Sequence, residues 1–392
     1  MLKKKKYNNL NLSANHSLTL QIQPFFKDVE LEWRNLLPIS HHLISNDLIA
    51  LENTNPSAIY FRYVNIYRQK ELIGVIYLQH LNFNKNHFNN DLLNKPLLKT
   101  IKPIFLKLST NILVCGNLFR VNFQGFYFKN KEDRSLIFEC LRLYTKQVKK
   151  ETKFCGILVK DCSRVFKLED ASSKAFMPFT QDLTMVLAIR SEWHTLENYV
   201  DALSKKYKQR AKKILKAIQP IKRRNLTLEE VIEHKDKIEE LYLQITYKQN
   251  IALGILNSNY FIEMKKLLAH NFEVIGYFEN NFLIAYSCHI FYPDKKEMEI
   301  HYIGFDNEKN REYSLYFNII FNGLETALKN KYTKLELGRT AREAKASVGA
   351  YAVENYNYIW IKQGPARWAV NFLTNRFSEN MGEDWKNRNP FK

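Results

Sequence analysis

One order of predicted elements occurs twice along this chain, and it limits the fold more than any other feature. Residues 58–67 (AIYFRYVNIY) and 72–80 (LIGVIYLQH) are β-rich runs joined by the polar turn RQKE, a hairpin signal. After an Asn-rich loop, 92–108 reads as helix-like with Pro interruptions, and 112–115 and 125–128 read as strand pieces. A helix over 134–149 follows, with Leu136, Ile137, Cys140, Leu141 and Leu143 near one face, and then a short strand over 155–159. In the second half, helices over 229–249 and 259–269 precede a hairpin of 272–278 with 282–292 and a third strand over 297–304. A helix over 313–330 and a strand over 334–337 complete the set. Hairpin, strand, helix, strand thus recurs at 58–159 and 272–337, and internal duplication is the economical account. The fold class expected is α/β (α+β), with two mixed sheets flanked by helices.

A length of 392 residues suits two cores better than one. The layout expected is a frayed polar N-terminus over 1–20, a first domain over 21–190, a basic connecting helix over 191–225, and a second domain over 226–392 carrying the site. The connecting helix spans 196–218, with Leu196, Tyr199, Val200, Leu203, Tyr207 and Ala211 at spacings of three and four. From Lys205 to Arg224, ten of twenty residues are Lys or Arg and none is acidic, so this segment carries a positive potential. The whole chain follows suit, with 59 Lys+Arg against 40 Asp+Glu and a net charge of +19.

Five scattered cysteines, with no C-x-x-C pair and no nearby His cluster, read as structural thiols, so neither zinc nor disulfides are expected. No apolar run reaches the roughly 18 residues of a spanning helix, and no apolar segment follows the basic start MLKKKKYNNLNLS. A cytoplasmic protein without stable membrane insertion is the expectation.

The stretch 333–350, TKLELGRTAREAKASVGA, runs from a strand through an Arg-containing loop into a Lys-containing helical turn closed by Gly349. With a final strand over 354–361, the element order resembles the GCN5-related N-acetyltransferase (GNAT) fold. Two such units in tandem, joined by a basic helix, resemble the FemAB group of peptidoglycan-bridge aminoacyltransferases and their acetyltransferase-like relatives. The motif is similar to the family's at Gly338, Arg339, Lys345 and Gly349. The resemblance implies an N-acyltransferase that moves an acetyl, acyl or aminoacyl group onto an amine, with acyl-CoA or aminoacyl-tRNA as donor and no metal. The acceptor it implies is an amine-bearing small molecule, a cell-wall precursor or a lipid, with tRNA as a further partner. GNAT enzymes that use acyl-CoA carry a glycine-rich turn after the third strand; here that segment, FDNEKNREYS, has no glycine, which leaves the donor open.

Acyl transfer to an amine needs an unprotonated nitrogen, aligned reactants and stabilisation of the developing oxyanion. Glu299 and His301 alternate with Met298, Ile300 and Tyr302, share one strand face, and are the candidate general bases. The plain alternative is the polar face of a half-buried strand. Tyr313 and Tyr316, at the first turn of the following helix, are candidate acids, or simply packing groups. Arg339 and Lys345 are candidates for holding phosphate or carboxylate, against a salt bridge of Arg339 to Glu336 or Glu343 and a solvated Lys345. Lys212 and Lys213 on the basic helix are candidate polyanion contacts. Tyr302 is a candidate substrate contact, since a hydrophobic tunnel beside it would suit a lipid or amino-acid N-acyltransferase. The rival from another class is a non-catalytic RNA- or nucleotide-binding protein on the same scaffold.

Overall fold

The structure, a computed structural model, describes residues 18–87, 109–162, 175–248, 252–362 and 384–391. The expected helix over 92–108 lies outside them, as does the start of the chain. The described residues fall into two compact units, one reaching to Asp182 and resuming at Asn355, the other holding Leu183–Glu354 and the segment 384–391.

The first unit begins with strand β1 (Leu18–Gln23) and helices α1 (Glu30–Leu36) and α2 (Asp47–Thr54). The polar composition predicts fraying to residue 20, but Leu18 and Leu20 alternate with polar neighbours and bury their side chains, which makes β1 a paired strand. Strands β2 (Tyr60–Arg68) and β3 (Glu71–Asn84) form the expected hairpin, followed by β4 (Ser109–Cys115), β5 (Phe126–Phe128), α3 (Leu136–Gln147) and β6 (Phe154–Cys162). Apolar side chains of α3, among them Ile137, Phe138 and Leu141, pack with Leu113, Ile157 and Val159 of the sheet. The sheet order is β1-β2-β3-β4-β6, antiparallel except for the parallel β4–β6 pair.

The second unit contains β7 (Met177–Ala188) from Leu183 onward, α4 (Leu196–Ala202), α5 (Lys205–Ala217), β8 (Lys222–Asn225), α6 (Leu228–Glu233), α7 (Lys235–Thr246) and α8 (Ser258–Leu268). Then come β9 (Phe272–Glu279), β10 (Phe282–Tyr292), β11 (Glu297–Phe305), α9 (Asn307–Tyr313), α10 (Leu315–Lys329), β12 (Lys334–Gly338), α11 (Arg342–Ala346) and β13 (Tyr351–Ile361). Its order, β8-β9-β10-β11-β12-β7, is again antiparallel except for one parallel pair, β11–β12. In the first unit, β13 supplies the matching last strand through Tyr356–Ile361 on β6. Among the described residues, both units therefore share the same order of six strands, with β7 and β13 closing them, and the first unit adds β5 on β3; neither closing strand follows its sheet directly in sequence.

Three helices expected as continuous are broken. The basic helix is two, α4 and α5, because Leu203 and Ser204 are extended and are engaged by the segment 384–391. It also packs into the second unit's core through Tyr199, Val200, Ala211 and Ile214. The helix over 229–249 divides into α6 and α7 at His234. The helix expected from Tyr313 begins only at Leu315, because Ser314 adopts the left-handed conformation (φ 52°) after the separate helix α9.

Close backbone approach fixes some glycines. A Cβ on Gly125 would stand 2.2 Å from the Gly116 nitrogen, whereas one on Gly156 meets nothing nearer than the Trp360 carbonyl at 3.4 Å. Gly125→Ala is expected to cost about 2 kcal/mol or more and Gly156→Ala less than about 1 kcal/mol, read as urea midpoints at equal m-values.

Candidate functional site

The β11–β12 ladder is short. Only Glu297↔Lys334, Met298↔Leu335 and Glu299↔Glu336 are paired, yet β11 runs on to Phe305 and β12 to Gly338, so the two strands part after Glu299. In the first unit the corresponding ladder continues to Cys115, the last residue of β4. Parallel strands in register point paired residues to the same face, which puts Glu299 and Glu336 on one side beside the Lys334–Glu297 ion pair (3.2 Å).

At the parting, β11 also bulges. Ser287 pairs with Ile303 and His289 with Ile300, so His301 and Tyr302 together oppose the single Cys288. Strict alternation would turn Tyr302 away from His301. The bulge instead brings their rings within 4.5 Å, and both meet Tyr260 of α8. Tyr302 also contacts Tyr242 and Phe261, so an aromatic cluster from α7 and α8 surrounds it.

Glu299 and His301 are joined as a pair. The carboxylate Oε1 lies 2.7 Å from Nδ1, which fixes the ring proton there, and Nε2 accepts from the Tyr260 hydroxyl at 2.9 Å. Tyr292 donates to the other carboxylate oxygen at 3.1 Å. The His301 side chain is only 1% exposed and that of Glu299 7%, so this pair is not a solvated strand face.

Lys345 is the second buried element. Its ammonium would be 3.8 Å from a Cβ on Gly338, the residue that ends β12 with φ +78°. The lysine is 5% exposed. Burial pushes its pKa down to about 7; Glu336 pulls it back up and Arg342 lowers it further. The solvated-lysine alternative is thereby replaced. The carbonyl of Lys345 accepts from the Ala350 N–H at 3.1 Å, and Gly349 closes the turn in the left-handed conformation (φ +91°).

Of the remaining sequence candidates, Arg339 lies at the end of β12 and the others stand elsewhere. Arg339 follows Gly338 and is half-buried; Glu343, proposed as its partner, is ion-paired with Arg388. Tyr313 ends α9 and donates to the surface carboxylate of Glu279, which Lys309 also holds at 2.7 Å. That bond keeps the phenol protonated well above the usual range. Tyr316 lies in the first turn of α10 against Phe305 and Phe317, its hydroxyl buried without a partner among the described residues. Lys212 and Lys213 are exposed on α5. The basic segment is not free of acidic partners: Lys208 pairs with Asp201 at 2.7 Å, Arg223 with Glu325 at 2.8 Å, and Arg224 with Glu230. Tyr260, Tyr292 and the action of Glu336 on Lys345 escape a reading of the sequence, because each depends on contacts between separate elements.

The segment after β11 is helical rather than a loop. Asp306 caps α9, its Oδ1 accepting from the N–H groups of Glu308 (2.8 Å) and Lys309 (3.0 Å). The donors that a phosphate would use there already hold the protein's own carboxylate.

No family model matches the sequence, and no curated protein matches it. Solved structures do match. A tandem GNAT protein from the clavulanic acid biosynthesis pathway aligns with a TM-score of 0.53 at 9% identity, over 88% of this chain and 99% of that one. The fold is that of a tandem GNAT protein. FemX aligns with a TM-score of 0.50 at 11% identity, over 83% of this chain and 93% of its own. Both likenesses are of fold and agree with the repeated six-strand topology described above. Among the described residues, no three His, Cys, Asp or Glu side chains cluster as metal ligands would, and no helix is long and apolar enough to cross a membrane.

The lowered pKa of Lys345 links it to stability. The folded chain releases this proton near pH 7, the unfolded chain only near 10.5, so between these values the unfolded state binds more protons and stability rises with pH. The slope approaches about 1.4 kcal/mol per pH unit, and below pH 7 the full cost of burying the ammonium remains. Lys345→Met, which lacks this cost, should gain most in melting temperature over the native chain below pH 7, the gain shrinking from pH 7 to 10. A gain independent of pH would mean that Lys345 is not buried as an ammonium.

Proposed function

We propose that this protein is an N-acyltransferase whose reaction takes place where β11 and β12 part in the second unit. The observation that carries this reading is the joint presence, at one strand opening, of a buried Glu299–His301 pair and a buried Lys345. The acyl group of the donor lies in the opening, along the part of β11 that β12 does not pair. The acceptor amine gives its proton toward His301 through the Tyr260 hydroxyl already bonded to Nε2, and Glu299 stabilises the imidazolium formed. Lys345, with a pKa near neutrality, opposes charge on the carbonyl oxygen and supplies a proton to the leaving group. Arg339, directly after β12, holds an anionic part of the donor or acceptor.

The Asp306 cap argues against a donor whose pyrophosphate rests on the turn after β11, as acyl-CoA would. An aminoacyl donor carried on tRNA fits this better, and the exposed lysines of α5 supply a surface for its phosphates. The resemblance of the element order to the FemAB group of peptidoglycan-bridge aminoacyltransferases supports an amine acceptor on a cell-wall precursor.

Two experiments test the reading. Incubation with bulk aminoacyl-tRNA or acetyl-CoA and a panel of amines should give transfer that falls about 100-fold or more in Glu299→Gln and in Lys345→Ala; unchanged turnover in both would remove these residues from the chemistry. Lys212→Glu with Lys213→Glu should weaken binding of bulk tRNA and make the slope of log K against log salt shallower by roughly 0.7–0.9 for each phosphate no longer neutralised. An unaltered slope would leave α5 without a role in polyanion binding.

A further inference from the structure

Gly349 is pressed by a segment distant in sequence. A Cβ there would stand 2.3 Å from the Phe391 ring. That ring lies 5.2 Å from Trp193 and 6.1 Å from Tyr199, and the Arg190 guanidinium sits 4.5 Å from its centroid. Phe391 bridges to Leu203, and the Ser204 N–H donates to the Pro390 carbonyl at 2.8 Å. Three residues earlier, Arg388 ion-pairs with Glu343 of α11 and hydrogen-bonds Tyr207 of α5. The Tyr199 hydroxyl donates to the Val348 carbonyl at 2.9 Å, gripping the same turn from α4. Helix α11 has five residues, far fewer than a helix needs to hold itself in water.

We propose that the segment 384–391 is a clamp that positions Lys345. Phe391 fills the notch at Gly349 and Arg388 grips Glu343, so the short helix between those two points cannot swing away from Gly338. Phe391 and Arg388 are thus positioning residues, and the proposal rests on the role given to Lys345 above. The charged groups that act on Lys345 are Glu336 from β12 and Arg342 from its own helix, neither of which belongs to the clamp. The clamp therefore works by packing, which keeps the turn closed and water away from the ammonium.

Lysine-selective NMR titration of the full chain reads this without any substrate. The Lys345 midpoint should lie near 7 in the native protein. Phe391→Ala should raise it by about one pH unit or more, a tenfold change in proton affinity, and Phe391→Leu, which still fills the notch, should restore it. Arg388→Ala should move it less, in the same direction. A Phe391→Ala protein that melts earlier but keeps the native midpoint overturns the proposal, because the segment then only adds stability. Should Phe391→Ala not fold, Arg388→Ala and Glu343→Gln decide, and an unmoved midpoint in both overturns it as well. A native midpoint at the ordinary lysine value also overturns it, since no dry site would remain to be guarded. Failure to find acyl transfer would sink the functional reading while leaving this titration as it is.

Discussion

The separation of β11 from β12 after the Glu299–Glu336 pair governs the arrangement of the second unit. Each further rung would have engaged the backbone of Ile300 to Phe305 and placed a neighbouring strand against His301. Without those rungs, β11 can bulge at His301 and Tyr302, and helices α7 and α8 reach the strand there. Gly304 marks how near they come, since a Cβ on it would lie 2.9 Å from the backbone of Leu241 and Tyr242. The bulge, the aromatic cluster and the buried Glu–His pair follow from one interruption in pairing.

Charge is handled differently on the two sides of that interruption. On β11, a carboxylate and an imidazole satisfy each other, with tyrosine hydroxyls on their outer atoms, so burial carries little penalty. Beside β12, the lysine receives only electrostatic help from Glu336, and its proton is correspondingly loosely held. In the reaction proposed above, the weakly held proton of Lys345 and the organised Glu299–His301 pair would serve as acid and base near neutral pH. The first unit, whose parallel ladder extends to the end of β4, has Lys160 at the corresponding strand with its ammonium bonded to the Asn117 carbonyl at 2.6 Å.

Much of this architecture could be read from the residues. Alternation in β-rich runs revealed both hairpins and the third strand of the second unit, and the recurring order of elements revealed the duplication. Glu299 and His301 were identifiable as same-face neighbours two residues apart. What the sequence did not reveal depended on contacts between remote segments. Nothing local marks Tyr260 as the partner of His301, and a bulge at residues 301–302 breaks the alternation that would have turned Tyr302 away. The break before Leu315 was hidden because Ser314, not glycine, adopts the left-handed conformation. Strand β7 was not anticipated, and β13 was anticipated only over 354–361, because each completes a sheet whose other strands lie far away along the chain.

That last arrangement bears on how the molecule comes to be made. Because Tyr356–Ile361 pairs with Gly156–Cys162, the sheet encoded first stays one strand short until residues about 200 positions later have left the ribosome. Until then the rim of β6 is an open template for any passing extended peptide. A break in the chain between β6 and β13 would make that exposure permanent, so the residues before and after such a break are poor candidates for separate expression.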